Sequence, residues 1–554
     1  MWWWLACVPG PDGLGTSPPE LVTCDAPVEG IARFREDGLA RGLELDIPPE
    51  PDAASCNYTP GGLVVRDLDD DGDIDILVHN HHGVPWIFGN DGAGAFTPAE
   101  PGIFSYGGEQ FNATAAVDVT GDGLPELFMV GSGLVLQAEN LGGLRWGAWE
   151  PVFYDPDYPR TCFASLSFGD VDGDCDLDLS LAGMDEIPAE GVLVSVDPDY
   201  WNPSRSLLLL NEGGAWDPVM ELLSEGKPGF SLTHAFTDRD GDGDLDLMAG
   251  TDRPAGGAFP PAAFWRNDGV TNGIPVLVND AASIGANVQA SAMGLGVRDL
   301  NRDGQLDYCM SDLAPSLTCL ASDSTGTYYE AGRALGLTAD VGTHPELPAD
   351  WYSRTAPTDT LWVTWGLVLS DLDNDGAIDA AVVAGPPPDG GTVALSSVHD
   401  WQPDWLWRGN GYGYFQNAAV ETGFYSTEAH YGLADADLDG DGFRELIVTP
   451  YAGRPEIWNN PCGSGGWLEI RLVGEGGNVD AYGARVTVTA GDQVETEEVH
   501  NLLAVSQGPP GLHFGLGDAP VADRVEVRWP DGATTVLTDV LPRQRLTLRQ
   551  RDAR

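Results

Sequence analysis

Short apolar runs, each broken by Gly, Asp or Asn, fill most of the chain. GLVVRD (residues 62–67) leads into an acidic stretch and IDILVHN (74–80) leads out of it. FASLSFGD (163–170) and LDLSLAG (177–183) flank another such stretch in the same way. These runs are too short for helices and rich in strand formers, so each predicts a β-strand. A third run then ends near Asn and is followed by a Gly-rich turn and an aromatic. WIFGNDGAGAF (86–96), LLLLNEGGAW (207–216), FWRNDG (264–269) and LWRGNGYGYF (406–415) show it. The pattern predicts about four strands per unit.

The acidic stretch between the first two strands repeats seven times, opening at Asp67, Asp118, Asp170, Asp238, Asp299, Asp371 and Asp437, 51 to 72 residues apart. The third position holds Asp69, Thr120, Asp172, Asp240, Asn301, Asp373 and Asp439. The fifth is always aspartate: Asp71, Asp122, Asp174, Asp242, Asp303, Asp375 and Asp441. The seventh varies through Asp73, Leu124, Asp176, Asp244, Gln305, Ala377 and Phe443, as expected of a backbone-carbonyl ligand. The ninth is always acidic: Asp75, Glu126, Asp178, Asp246, Asp307, Asp379 and Glu445. The sixth is glycine except for Cys175, and glycine there permits the turn that aims the ligands.

Alternate oxygen donors around one point suit Ca2+, a hard cation with six to eight oxygen ligands. An EF-hand would need Glu at position twelve and flanking helices. Position twelve instead holds Val78, Ala249 and Val382 in the first, fourth and sixth copies. Each loop therefore predicts a calcium-binding hairpin turn, with up to seven Ca2+. The loops opening at Asp67, Asp238 and Asp371 are best equipped, then those at Asp299 and Asp437. The Asp118 and Asp170 loops are weakest, because of Thr120 and Cys175.

Four-stranded units with a period near 60 predict an all-β, seven-bladed β-propeller over residues 26–460. An open β-solenoid, with shorter repeats, is the alternative. ARFREDGLARGLELD (32–46), YYEAGRALGL (328–337) and YFQNAAVETGF (414–424) join one unit to the next. After Asn460 the pattern changes. Alternating strands without an acidic loop predict a small separate β-sandwich over 465–550, less acidic because of Arg471, Arg485, Arg524, Arg528, Arg543, Arg545 and Arg549.

A net charge of −59 argues against nucleic acid or an anionic membrane as partner. Seven Ca2+ would offset about 14 units of it. No apolar run reaches transmembrane length. The opening MWWWLAC resembles the end of a bacterial lipoprotein signal without its basic region and most of its apolar core, so residues 1–25 read either as a truncated signal and linker, with a lipid anchor at Cys7, or as an apolar tip and linker. The eight cysteines form no CxxC motif. Cys309 and Cys319 are placed to bridge adjacent strands, and a Cys162–Cys175 bridge would account for the missing glycine.

The loops and their flanking strands resemble FG-GAP (VCBS) repeats, and YGARVTVTAG with GLHFGLGDAPVADRVEVRWPDGATTVLTDV (482–491 and 511–540) resembles an ASPIC/UnbV domain. Together they resemble the cartilage acidic protein family. The resemblance implies a calcium-stabilised propeller with a small β domain, secreted or surface-attached, in adhesion or matrix roles.

No P-loop or nucleophile elbow is present, and no catalytic residues are assigned. HxHH (His79, His81, His82) is a candidate transition-metal site, with exposed turn histidines as the bland reading. His234 and His430, on strands entering loops, read as core or channel-lining residues. Trp401, Trp405 and Trp407 read as inter-blade packing ahead of sugar stacking. The leading expectation is a non-enzymatic, calcium-loaded, extracytoplasmic protein presenting a rigid face to a protein or glycan. The alternative is a polysaccharide lyase or hydrolase on the same scaffold.

Overall fold

The structure is a computed structural model describing residues 33–48, 62–79, 85–100, 111–131, 133–154, 161–184, 205–222, 231–252, 260–313, 316–338, 363–386, 402–426, 428–450, 452–501 and 506–553. Among the described residues, seven antiparallel four-stranded sheets follow one another as the blades of a β-propeller. Their innermost strands are Gly62–Arg66, Phe111–Val117, Cys162–Gly169, Ser231–Thr237, Leu295–Arg298, Thr364–Ser370 and His430–Ala436. Each inner strand runs into an acidic loop, and the second strand leaves it. Blade three is typical: Gly169 pairs with Asp178 across the loop mouth and Cys162 with Met184 at the far end.

The inner two strands are buried at nearly every position because neighbouring blades cover both faces. That accounts for their near-continuous apolar sequence. Outer strands such as Phe96–Pro98 bury only the first residue. One blade cannot bury its own faces, so the core lies between blades. Leu63, Val65, Ile76 and Phe88 of blade one pack with Ala434, Ala436 and Ile447 of blade seven.

The ring is closed by the first described strand. Arg35–Glu36 pairs with Glu456–Asn459 and supplies the fourth strand of blade seven. The ARFREDGLARG segment is thus this strand and a one-turn helix, Gly38–Arg41, while its counterparts at Tyr328 and Phe415 complete blades five and six. Sealing first and last elements into one sheet removes the exposed edges an open array would leave.

Residues 466–549 form two further sheets, one of three strands and one of four. They are not a detached module. Ser506–Gln507 runs parallel to Leu63–Val64 as a fifth strand of blade one. The Gln507 side-chain amide donates to the Ala116 carbonyl on blade two, and Ser506 Oγ to the Leu433 carbonyl on blade seven. Residues 506–512 therefore thread the ring axis, beside a cavity of about 120 Å³ lined in part by Arg298, Arg444, Asp435 and Glu498. Core residues of blades two and three and of this cap belong to one apolar cluster.

Cys309 and Cys319 are bonded across paired strands, as expected. Cys162, Cys175 and Cys462 are also disulfide-bonded. A Cys162–Cys175 bridge is excluded by geometry. Cys162 lies at the end of its eight-residue strand away from the loop, on the order of 20 Å from Cys175. Cys7 and residues 1–25 lie outside the described residues. No described helix is long and apolar enough to cross a membrane.

Candidate metal centres

The seven loops share one hydrogen-bond scheme. The fifth-position aspartate accepts from the backbone N–H of the seventh residue at 2.8–3.0 Å in every copy. The ninth-position carboxylate accepts from the N–H of the second residue at 2.9–3.3 Å in every copy. Where the ninth residue is Asp, its other oxygen accepts from the N–H at the end of the third strand, at Asn90, Asn211, Asn267, Ser322 or Gly409. The ninth position thus fastens the loop to the blade, a role its spacing alone did not reveal.

The first-position aspartate accepts from the sixth-residue N–H in six copies. That contact needs a left-handed sixth residue, and Cys175 adopts it at φ 76°, beside 85° at Gly442 and 87° at Gly376. The missing glycine therefore costs local strain without changing the loop. Asp170, Asp172 and Asp178 bring oxygens within 4.8 Å of one another, as do the triads Asp67, Asp69, Asp71; Asp238, Asp240, Asp242; and Asp371, Asp373, Asp379. By geometry the third loop stands with the best equipped.

Five loops retain a buried carboxylate oxygen with no hydrogen-bond donor: on Asp67 and Asp69, Asp172, Asp238, Asp373 and Asp439. A buried acceptor without a partner costs about 1–3 kcal/mol, and more when charged. The carboxylates register this. Burial, reinforced by neighbouring aspartates, pushes Asp75 and Asp170 up to about 7 and Asp371 up to about 8. Glu126 and Asp246 are likewise raised to about 8, chiefly by burial. A cation among these oxygens would relieve both costs. The loops opening at Asp118 and Asp299, with Thr120 and Asn301 in place of an acid, retain no such oxygen among the described residues.

Asparagines at or near the ends of the third strands, noted in the sequence only as turn markers, lock four of the loops to the next blade. Asn90 donates to the carbonyls of Ile74 and Leu438, Asn140 to Leu68 and Pro125, Asn267 to Val171 and Leu245, and Asn460 to Leu372 and Arg444. In each pair one carbonyl belongs to the second loop residue of the neighbouring blade.

The cap sits on the loop face and supplies positive charge to it. Arg528 donates to Asp238 Oδ2 at 2.7 Å and to the Gly241 carbonyl at 2.7 Å. Arg485 reaches the Asp238 carbonyl, and Arg545 donates to Asp437 Oδ2 at 2.6 Å. His513 Nε2 lies 2.6 Å from Asn374 Oδ1, and Gly477 N–H donates to the Cys175 carbonyl. Trp467 covers Gly442, where any β-carbon would overlap the indole. In return Arg66 of blade one pairs with the buried Asp480 at 3.2 Å.

The other candidate residues fall elsewhere. His79 is buried at a strand end against Gly62, while His81, His82 and Trp401 lie outside the described residues. Ser180 Oγ lies 2.7 Å from His234 Nδ1 between blades three and four, and burial lowers that imidazole to about 3. Trp405 and Trp407, each 2% exposed, stack at 6.1 Å inside the cluster joining blades five and six, so neither is open to a sugar.

Residues 474–554 match the ASPIC and UnbV family, and residues 67–129 match the FG-GAP-like repeat. The chain thus carries both domains inferred from its motifs. It is similar to cartilage acidic protein 1 of Mus musculus (23% identity, covering 91% of this chain and 76% of the relative) and of Homo sapiens (23%, 88% and 71%). Among solved structures, an Agrocybe aegerita lectin that recognises non-reducing terminal N-acetylglucosamine aligns at TM-score 0.38 and 14% identity, covering 75% of this chain and 94% of the lectin. BBS1N, in complex with ARL6DN, aligns at TM-score 0.42 and 10% identity, covering 78% and 99%.

Proposed function

We propose that the acidic loops bind Ca2+ and that the protein is a non-enzymatic interaction protein acting outside the cytoplasm. The observation that carries this reading is the set of buried, donor-less carboxylate oxygens at the first and third loop positions. Such all-oxygen sites suit Ca2+, with Asp, Glu, Thr or Asn oxygens from positions one, three, five and nine and a carbonyl from position seven. The ions act structurally. Each neutralises a loop, and the loop holds the blade hairpin, the neighbouring Asn lock and the floor on which the cap rests. Disulfides support an oxidising compartment, and weak extracellular-type calcium sites would stay empty in the cytosol. The name of the relatives, cartilage acidic protein, accords with a net charge of −59.

Two features favour binding over catalysis. The ring axis, where a propeller can hold a substrate, is threaded by the chain's own residues 506–512. The loop face is covered by the cap. A protein or glycan partner would then meet the opposite face of the ring. Elemental analysis and calorimetry test the calcium reading. Several Ca2+ per chain are expected, and a chain that takes up none overturns it. A glycan array and pull-down with the calcium-loaded protein test the partner class, and cleavage of a polysaccharide panel would replace binding with catalysis.

A further inference from the structure

Away from the loops, the start of the blade-seven inner strand holds a different group of ligands. His430 is fully buried as the first residue of that strand. Its Nδ1 lies 2.7 Å from Asp404 Oδ2, and Asp404 is itself fixed by the Ala384 N–H at 3.1 Å. Its Nε2 makes no hydrogen bond, and Glu456 Oε1, its ion-pair partner, stands 3.6 Å from it. Glu456 is oriented by the Trp458 indole N–H, which donates to Oε2 at 2.8 Å. Glu428 completes the group, with its oxygen within 4.8 Å of the other two ligand atoms.

The geometry points to a second class of metal site, a first-row divalent transition-metal ion held by His430 Nε2, Glu456 and Glu428. Three features set it apart from the loops. Imidazole nitrogen suits zinc-like ions and not a hard ion such as Ca2+. A metal-binding histidine usually donates its other ring N–H to a carboxylate, and Asp404 stands where that acceptor belongs. A separation near 3.6 Å between nitrogen and oxygen is close to that of two ligands sharing one zinc, each about 2.0–2.2 Å from it. Glu428 is exposed, which leaves the ion a route in and a position for water. The metal replaces a proton on His430, so uptake releases one proton and strengthens with rising pH.

Zn2+ titration of the calcium-saturated full chain by calorimetry, at about pH 8 where the proton competes less, tests this. One Zn2+ per chain is expected beyond any that displaces Ca2+. Glu428→Gln, at the exposed position, should keep the melting temperature and weaken Zn2+ at least about tenfold. His430→Gln should abolish the site, and Zn K-edge absorption should show one imidazole in the wild type only. Equal Zn2+ affinity in the wild type, Glu428→Gln and Glu456→Gln overturns the site, as does the absence of uptake. Neither result touches the loops, which are read by Ca2+ content.

Discussion

The propeller loops and the cap strand Gln493–Glu498 both carry buried carboxylate oxygens, yet they arrange their charge differently. The strand, part of VETEEVH, buries Glu495, Glu497 and Glu498, all raised above the usual range by burial. Arginines answer two of them: Arg298 lies 2.7 Å from Glu497, and Arg485 lies 3.1 Å from Glu498. Both segments hold buried carboxylate oxygens without a hydrogen-bond donor, Oε1 of Glu495, Glu497 and Glu498 included, but only the loops bring several carboxylates to one point. Acidic composition does not distinguish the two cases. What distinguishes them is convergence: the arginines that reach Asp238 and Asp437 leave oxygens on Asp238 and Asp439 without a donor, and in the proposed reading a cation from solution answers them.

That contrast can be broken most directly by chelation. Removing Ca2+ should lower the melting temperature by roughly 10 °C or more, since each site filled at a hundred times its Kd contributes about 2.7 kcal/mol. An unchanged melting temperature in EDTA would return the loops to the status of solvated turns. Arg298→Met attacks the other side. It strands Glu497 as a buried unpaired charge and should cost about 3–5 kcal/mol in denaturant unfolding, by the same amount with and without Ca2+. A calcium-dependent loss there would merge the two classes.

A smaller effect with a change of sign is expected for Asp67→Asn. With Ca2+ the variant should lose up to about 2.7 kcal/mol and one bound ion. Without Ca2+ it should be neutral or slightly stabilised, because it removes one of several crowded like charges. Destabilisation of equal size in both conditions would count against a cation role for Asp67.

The pH profile separates the metal-free and metal-bound loops by the sign of its slope. Asp75, Asp246 and Asp371 titrate at about 7 to 8 in the metal-free fold, against about 4 when unfolded. The folded state then binds more protons than the unfolded state between these values. Stability is fully present below about pH 4 and falls as pH rises toward 8. Metal-free protein should therefore melt lower at pH 8 than at pH 5 by calorimetry. Bound Ca2+ should reverse that slope by favouring the ionised carboxylates.

Much of this was legible in the sequence because it is local. Acids at alternate positions, glycine at the sixth and apolar runs on both sides specify a hairpin within about fifteen residues. Its repetition set the number of blades. The Cys309–Cys319 bond was equally local. Cys175 misled because its sequence breaks the glycine rule, while its backbone follows the rule at φ 76°.

What the sequence determined by itself was the unit: four strands, one acidic loop, seven times, and a chemically different tail. Only the tertiary structure decided how the units meet. Arg35–Glu36 closes blade seven across more than 400 residues of chain. The tail's arginines, legible as an excess of positive charge, settle on Asp238 and Asp437 of the loops. His430, Asp404 and Glu456 come from three separate strands or strand ends and meet only because blades six and seven pack side by side. Hydrogen-bond spacing and strand periodicity act over a few residues and can be read along the chain. Burial and charge pairing act through space, and neighbours in space are chosen by closure of the ring.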